Sequence, residues 1–153
     1  MLYLVRHAHA LDAEVDPARP LSERGRKQVA TLARFLQISG AFRPEEIWHS
    51  PLARARESAQ LLALQLKLPA PLREMPDLQP EDDPAATARR LKVVRRPVAI
   101  FGHEPHLSGL ASLLVAGAME PTAFVFKKCT VLMLESYDGR WKVRWQISPE
   151  LLA

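Results

Sequence analysis

Residues 98–109 read VAIFGHEPHLSG. Val98, Ala99, Ile100 and Phe101 follow one another without a polar interruption, and Gly102-His103 ends the run. An unbroken apolar run of this length, closed by a glycine, reads as a strand covered on both faces; a half-exposed strand would alternate. The next stretch, EPHLSGLASLLVAG at 104–117, reads as a helix with Pro105 in its first turn, where a missing N–H is no loss. A doubly buried strand leading into a helix is the unit of an α/β sheet.

The same unit recurs on either side. LYLVR at 2–6 is a short buried strand, followed by a polar loop at 10–20. LSERGRKQVATLARFLQISG at 21–40 is a helix, with Ser22 as N-cap, Val29, Leu32, Ala33 and Leu36 as its apolar stripe, and Gly40 after its end. EEIWHS at 45–50 is a second strand and LARARESAQLLALQLKL at 52–68 a second helix. The proline-rich, acidic stretch 69–84 is a loop with a brief strand at Leu72–Glu74. AATARRLKVV at 85–94 is a short helix ahead of the strand at 96–103. TVLMLES at 130–136 and RWKVRWQIS at 140–148 form a β-hairpin across Tyr137-Asp138-Gly139. In that second hairpin strand, alternation places Trp141, Val143 and Trp145 on one face and Lys142 and Arg144 on the other. The expected fold is a three-layer α/β architecture, with a mostly parallel sheet, helices on both faces and a C-terminal β-hairpin.

At 153 residues the chain is expected to form a single domain, 1–153, large enough for a real core. With 48% apolar and 25% charged residues it has the composition of a globular protein. Its one cysteine, Cys129, excludes an internal disulfide and reads as a small buried residue. No stretch approaches the ~20 apolar residues of a membrane span. Arg6 follows the first apolar run instead of preceding it, which is not the layout of a secretory signal, so a cytoplasmic protein is expected. The net charge of +4 allows an anionic partner without naming one. No zinc-finger spacing or aromatic RNA-binding signature accompanies it, so no nucleic-acid partner is expected.

Ligands of open α/β sheets bind beyond the carboxyl ends of the strands. The first strand ends at Arg6-His7, the second at His49-Ser50 with Arg54 in the next helix's first turn, and the strand at 98–102 at Gly102-His103. Three parallel strands would therefore bring Arg6, His7, Arg54 and His103 to one rim. Two guanidinium groups oppose a cation and fit a phosphate, whose oxygens their forks match. Gly102 would permit close backbone approach there, and the following helix N-terminus would offer free N–H groups.

Five separated motifs, VRHAHA, PLSERG, SPLARARES, FGHEPHLS and WQISPELL, occur in the order seen in the histidine phosphatase superfamily. The chain resembles its small bacterial phosphohistidine phosphatases of the SixA type over residues 2 to 151. The resemblance implies a phosphoglycerate-mutase-like α/β fold and catalysis through a covalent phosphohistidine intermediate, with no metal and no other cofactor. By motif position His7 takes the role of nucleophile, Arg6 and Arg54 that of phosphate binding, and His103 that of the second pocket histidine. The superfamily's usual glycine after the nucleophile is Ala8 here, small enough for the pocket to survive. Larger members carry a proton-donating carboxylate; the candidates here are Asp77 and Glu74, each of which also reads as a solvated loop acid.

Neutral imidazole can attack phosphorus, and nearby Arg6 and Arg54 should favour the neutral form of His7. His103 is expected to hydrogen-bond the same phosphoryl oxygens, as imidazolium once phosphate is bound. Without a firm acid, P–N bonds with an imidazole leaving group should be favoured over phosphate esters. The expected substrate is accordingly a phosphohistidine-bearing protein, such as a phosphorelay or phosphotransfer carrier, with inorganic phosphate as product. Alternatives are a phosphatase for small phosphate monoesters and a silent phospho-ligand-binding module; a monomer is expected. Other polar residues have plainer readings. His9 is a loop histidine or half of a metal clip, His49 is a satisfied core histidine, and His106 lines the pocket mouth or the surface. Ser50 is a helix cap, Arg56 is solvated, and Lys127 and Lys128 are surface residues or contacts for an anionic partner.

Overall fold

The computed structural model of the chain describes residues 1–152. Its elements are β1 (Leu2–Arg6), α1 (Glu23–Ser39), β2 (Glu46–His49), α2 (Ala53–Leu66), β3 (Leu72–Glu74), α3 (Pro84–Leu91), β4 (Val98–Gly102), α4 (His106–Ala116), β5 (Val131–Tyr137) and β6 (Arg140–Ile147), with a 3-10 turn at Pro149–Leu151. One six-stranded sheet runs in the order β3-β2-β4-β1-β5-β6. The pairs β3·β2, β2·β4 and β4·β1 are parallel, while β5 and β6 pair antiparallel, as expected of an α/β sheet closed by a hairpin.

Strand alternation divides the core in two. Tyr3 and Val5 of β1 point to one face, where Val29, Leu32 and Leu36 of α1 and Leu62 of α2 cover them. Leu2 and Leu4 point to the other, against Leu91 of α3 and Leu107, Leu110 and Ala111 of α4. Every residue of β4 is buried, as its unbroken apolar run requires. Fully burying one such Leu or Phe stabilises the fold by about 1.5–3 kcal/mol.

Local signals fix most boundaries. Ser22 caps α1 by accepting the Gly25 N–H, and Gly40 ends it in the left-handed region at φ 64°. Asp138 and Gly139 turn the hairpin with φ of 52° and 78°, the doubly positive pattern of a type I′ turn. Two expectations are corrected. Pro105 stands just ahead of α4, which starts at His106. And β6 does not keep one apolar face. A β-bulge lies where Met133 pairs Trp145 but the next residue, Leu134, pairs Val143, leaving Arg144 as the extra residue. Trp141 therefore packs on the α3/α4 side of the sheet and Trp145 on the α1/α2 side, its ring 6.3 Å from that of Tyr3.

Candidate active site

β1 and β4 are parallel neighbours in register, with Arg6 opposite Gly102, so the residues just beyond them emerge side by side. The His7 N–H donates to the Gly102 carbonyl at 3.1 Å, and the Ser50 N–H, beyond β2, donates to that of Phe101 at 3.1 Å. His7 and His103 are both buried, with ring centroids 5.1 Å apart. Arg54 is the second residue of α2, directly after β2. Its charge acts on both histidines, and that of Arg6 acts on His103. The structure thus brings together the four residues singled out at the strand ends.

His7 is held in one orientation. Its Nδ1 lies 2.7 Å from the carbonyl oxygen of Ala8. A carbonyl can only accept, so Nδ1 carries the hydrogen and, in the neutral ring, Nε2 carries the lone pair. Ala8 is anchored in turn: its N–H donates to Ser58 Oγ at 2.9 Å, and that hydroxyl donates to the Arg54 carbonyl at 2.7 Å. One buried serine therefore ties the backbone behind His7 to the α2 turn that carries Arg54. On the other side, a Cβ on Gly25 would fall 2.0 Å from the His9 carbonyl oxygen. Only glycine lets α1 approach the 7–10 segment this closely, and Ser22 N–H donates to that same oxygen at 3.0 Å. Ala8 itself is fully buried in the α1/α2 core, so its methyl is part of the packing.

The electrostatics favour neutral rings beside fixed cations. Burial pushes His7 from the ordinary 6.5 down to about 3; its bond to the Ala8 carbonyl opposes this, and His103, Lys128 and Arg54 reinforce it. His103 is likewise pushed down to about 3, by burial first and then by Arg54, His106, Arg6 and Arg19. The expected neutrality of His7 is present, but its main cause is desolvation, with Arg54 a smaller contributor and Arg6 not among the causes. Arg6 and Arg54 are lowered by burial yet remain cations, as arginine does in proteins. Arg6 Nη1 donates to the Phe126 carbonyl at 2.6 Å, which fixes one arm of its fork.

The other site candidates fall out as follows. Asp77 is ion-paired with Arg90 at 2.9 Å, and Glu74 is exposed at the end of the edge strand β3. Neither is brought against His7 by a hydrogen bond, and a third acid, Glu104, accepts the Ser108 N–H at 2.8 Å. That contact, with Leu107 N–H donating to the His103 carbonyl, occupies donors of the α4 N-terminus that were expected to be free. Gly102 is not sterically required either, since an added Cβ would meet Leu107 at an ordinary 3.5 Å. Ser50 is not the cap expected: the N-cap residue of α2 is Leu52, with no side-chain cap bond, and Ser50 Oγ instead accepts the Leu52 N–H in the turn ahead of the helix and lies 2.8 Å from His103 Nε2. His49 is the satisfied core histidine expected, with Nδ1 2.9 Å from the Ser50 carbonyl. His9 Nδ1 lies 2.6 Å from Ser22 Oγ, and the described residues contain no cluster of three His, Cys, Asp or Glu able to hold a metal ion. His106 is 1% exposed and neither ring nitrogen has a protein partner among the described residues, so it is a core residue and not a surface one. Arg56 Nη1 donates to the Pro51 carbonyl at 3.3 Å and is only half-exposed.

Sequence reasoning missed Arg19, Ser58 and the proximity of Lys128. Arg19, at φ 49°, is tied by Nε to the Leu11 carbonyl, and its charge acts on His103 and Arg54. Lys128 is half-buried among Arg6, Arg19 and Arg54. The signal for Arg19 was its place directly before the PLSERG motif; Ser58 sits one helical turn after Arg54, on the same face.

A sheet whose carboxyl edge presents an oriented, neutral imidazole among several cations holds the kinds of group that phosphoryl transfer through a histidine requires. The sequence profile of the histidine phosphatase superfamily (branch 1) matches residues 2–80. The chain belongs to that superfamily, and it is a phosphatase, a hydrolase of that class. Among solved structures, the protein histidine phosphatase SixA complexed with tungstate is similar at TM-score 0.86 and 26% identity, covering 99% of this chain and 99% of that one. A phosphohistidine phosphatase SixA from Agrobacterium tumefaciens follows at TM-score 0.80 and 20% identity, over 97% of each chain. An alpha-ribazole-5'-P phosphatase from Escherichia coli has TM-score 0.73 and 20% identity, over 97% of this chain and 96% of that one, and shares the fold. None of the curated proteins compared with the sequence matches it. No helix among the described residues is long and apolar enough to cross a membrane.

Proposed function

We propose that the protein hydrolyses phosphohistidine carried by another protein, with His7 as nucleophile and Arg6, Arg54 and His103 as the phosphoryl-binding groups. The observation that carries this is the state of His7: a buried, neutral ring with Nδ1–H donated to Ala8 and Nε2 left as the nucleophilic nitrogen. In the first step Nε2 attacks phosphorus. The P–N bond of the substrate breaks, the P–Nε2 bond to His7 forms, and the leaving imidazole takes a proton from solvent. The phosphorylated ring is then cationic, and its Nδ1–H bond to Ala8 stabilises that charge. In the second step water attacks phosphorus, the P–Nε2 bond breaks, inorganic phosphate leaves with the proton released to solvent, and neutral His7 returns. Arg6 and Arg54 hold the phosphoryl oxygens throughout. An incoming phosphoryl dianion offsets the cations that hold His103 neutral, favouring proton uptake there and a charge-assisted hydrogen bond.

The carboxylates support a phosphoramidate over an ester. Asp77 is held by Arg90 and Glu104 by the Ser108 amide, so each serves as an acceptor elsewhere. An alkoxide leaving group needs a proton donor far more than imidazole does. The test is turnover of a phosphohistidine protein beside a sugar phosphate and p-nitrophenyl phosphate. The proposal expects kcat/KM to be highest by far on phosphohistidine. A sugar phosphate turned over faster would overturn it, and no turnover of any would point to a silent binding module.

A further inference from the structure

Beside the candidate site lies a groove of about 420 Å³ whose walls are unusually basic. Arg24, Lys27 and Gln28 line it from one stripe of α1, at the i, i+3, i+4 spacing that puts them on a common face. Lys127 and Lys128 line it from the segment ahead of β5, and the only acid among the lining residues is Glu150. Four cations thus face one carboxylate.

The groove adjoins the site at two points. Lys128 lines it, and the next residue, Cys129, donates its N–H to the His7 carbonyl at 3.1 Å; the Lys128 charge is felt together with those of Arg6, Arg19 and Arg54. Gln28 Oε1 accepts the His9 N–H at 2.8 Å, so the α1 wall is bonded to the segment that carries His7. Arg24, Lys27 and Lys127 are exposed, and the one ion pair that they make among the described residues, Lys27–Glu23 at 3.5 Å, is solvent-exposed on both sides. Such a pair holds the lysine weakly and leaves it free to meet another anion.

We propose that this groove docks an acidic surface of the phosphohistidine-bearing substrate protein and so steers its phosphoryl group toward His7. The inference rests on the function proposed above and adds the chemistry of the partner. An acidic protein surface fits better than nucleic acid, because no aromatic side chain lines the groove to stack a base. Cations at the edge of a site raise the association rate of an anionic partner, and salt screens the effect.

The test uses the full chain and three substrates: free phosphohistidine, a phosphohistidine peptide flanked by Asp and Glu, and the same peptide flanked by Ser and Gly. For wild type at low salt, kcat/KM on the acidic peptide should exceed that on the neutral one by roughly tenfold, as a few screened attractions would give, and the gap should close at high salt. Lys27→Glu/Lys127→Glu should abolish the preference and leave free phosphohistidine turnover unchanged. Lys27→Gln/Lys127→Gln, which introduces no new charge, should fall between. An acidic preference absent from wild type, or surviving in both variants, overturns the proposal. So does a single-stranded RNA 10-mer that wild type binds more tightly than the acidic peptide. Hydrolysis of free phosphohistidine with equal rates on both peptides sinks the groove alone. No hydrolysis of free phosphohistidine sinks the proposed function, and the groove's role with it.

Discussion

Lowering the pH should attack this fold through the two buried histidines of the candidate site. His7 and His103 are 5% and 1% exposed, and both are pushed from 6.5 down to about 3, chiefly by burial. A histidine with a depressed folded-state pKa contributes stability that is fully present above the unfolded value of ~6.5 and is lost as pH falls toward the folded value. For a drop from 6.5 to about 3, the loss reached at pH 4.5 is about 2–3 kcal/mol per ring if each titrates alone. The rings are 5.1 Å apart and repel when both are charged, so protonating the pair is harder still. Urea denaturation of wild type and of His7→Asn/His103→Asn at pH 7.5 and 4.5 measures this. The variant should lose several kcal/mol less than wild type over that interval. Nitrogen-15 spectra should show both rings neutral at pH 5, with His7 in the Nδ1–H tautomer. Titration of either ring near 6.5, or equal acid loss in wild type and variant, would refute the reasoning.

Four substitutions probe the surroundings of the candidate site. Ser58→Ala strands the buried Ala8 N–H, which costs about 1–3 kcal/mol, so Tm should fall by roughly 2–12 °C and kcat should fall with it. Gly25→Ala puts a methyl 2.0 Å from the His9 carbonyl oxygen and should destabilise by about 1–3 kcal/mol or more, whereas Gly102→Ala, meeting Leu107 at 3.5 Å, should change stability by under about 1 kcal/mol in calorimetry. Asp77→Asn removes a half-exposed ion pair with Arg90, so it should cost under about 1 kcal/mol and leave phosphohistidine turnover within roughly twofold; a hundredfold loss would make Asp77 the proton donor.

The parts legible in the sequence were those written in local pattern. Val98–Phe101 reads as a doubly buried strand from its unbroken apolar run, Asp138-Gly139 as the favoured hairpin turn, and Ser22 and Gly40 bracket α1 by cap chemistry. Once the strands were read as parallel, the convergence of Arg6, His7, Arg54 and His103 followed from where strands end. The rest depends on partners far apart in the chain. Arg144 becomes a bulge residue only because Met133 and Leu134 fix the register across the hairpin, and no spacing within β6 announces it. Ser58 reads as one more polar residue of α2 until the Ala8 amide arrives from 50 positions away. The weight of desolvation on His7 likewise comes from the packing around it, whereas a sequence displays only the charges.

The central claim is that Nε2 of His7 carries the phosphoryl group. Incubation with ³²P-labelled phosphohistidine protein, quenching in alkali and mass-spectrometric mapping test it directly. The account predicts acid-labile, alkali-stable label on His7, bonded through Nε2 and absent from His7→Ala. Label that persists in His7→Ala, or that is bonded through Nδ1, would contradict it.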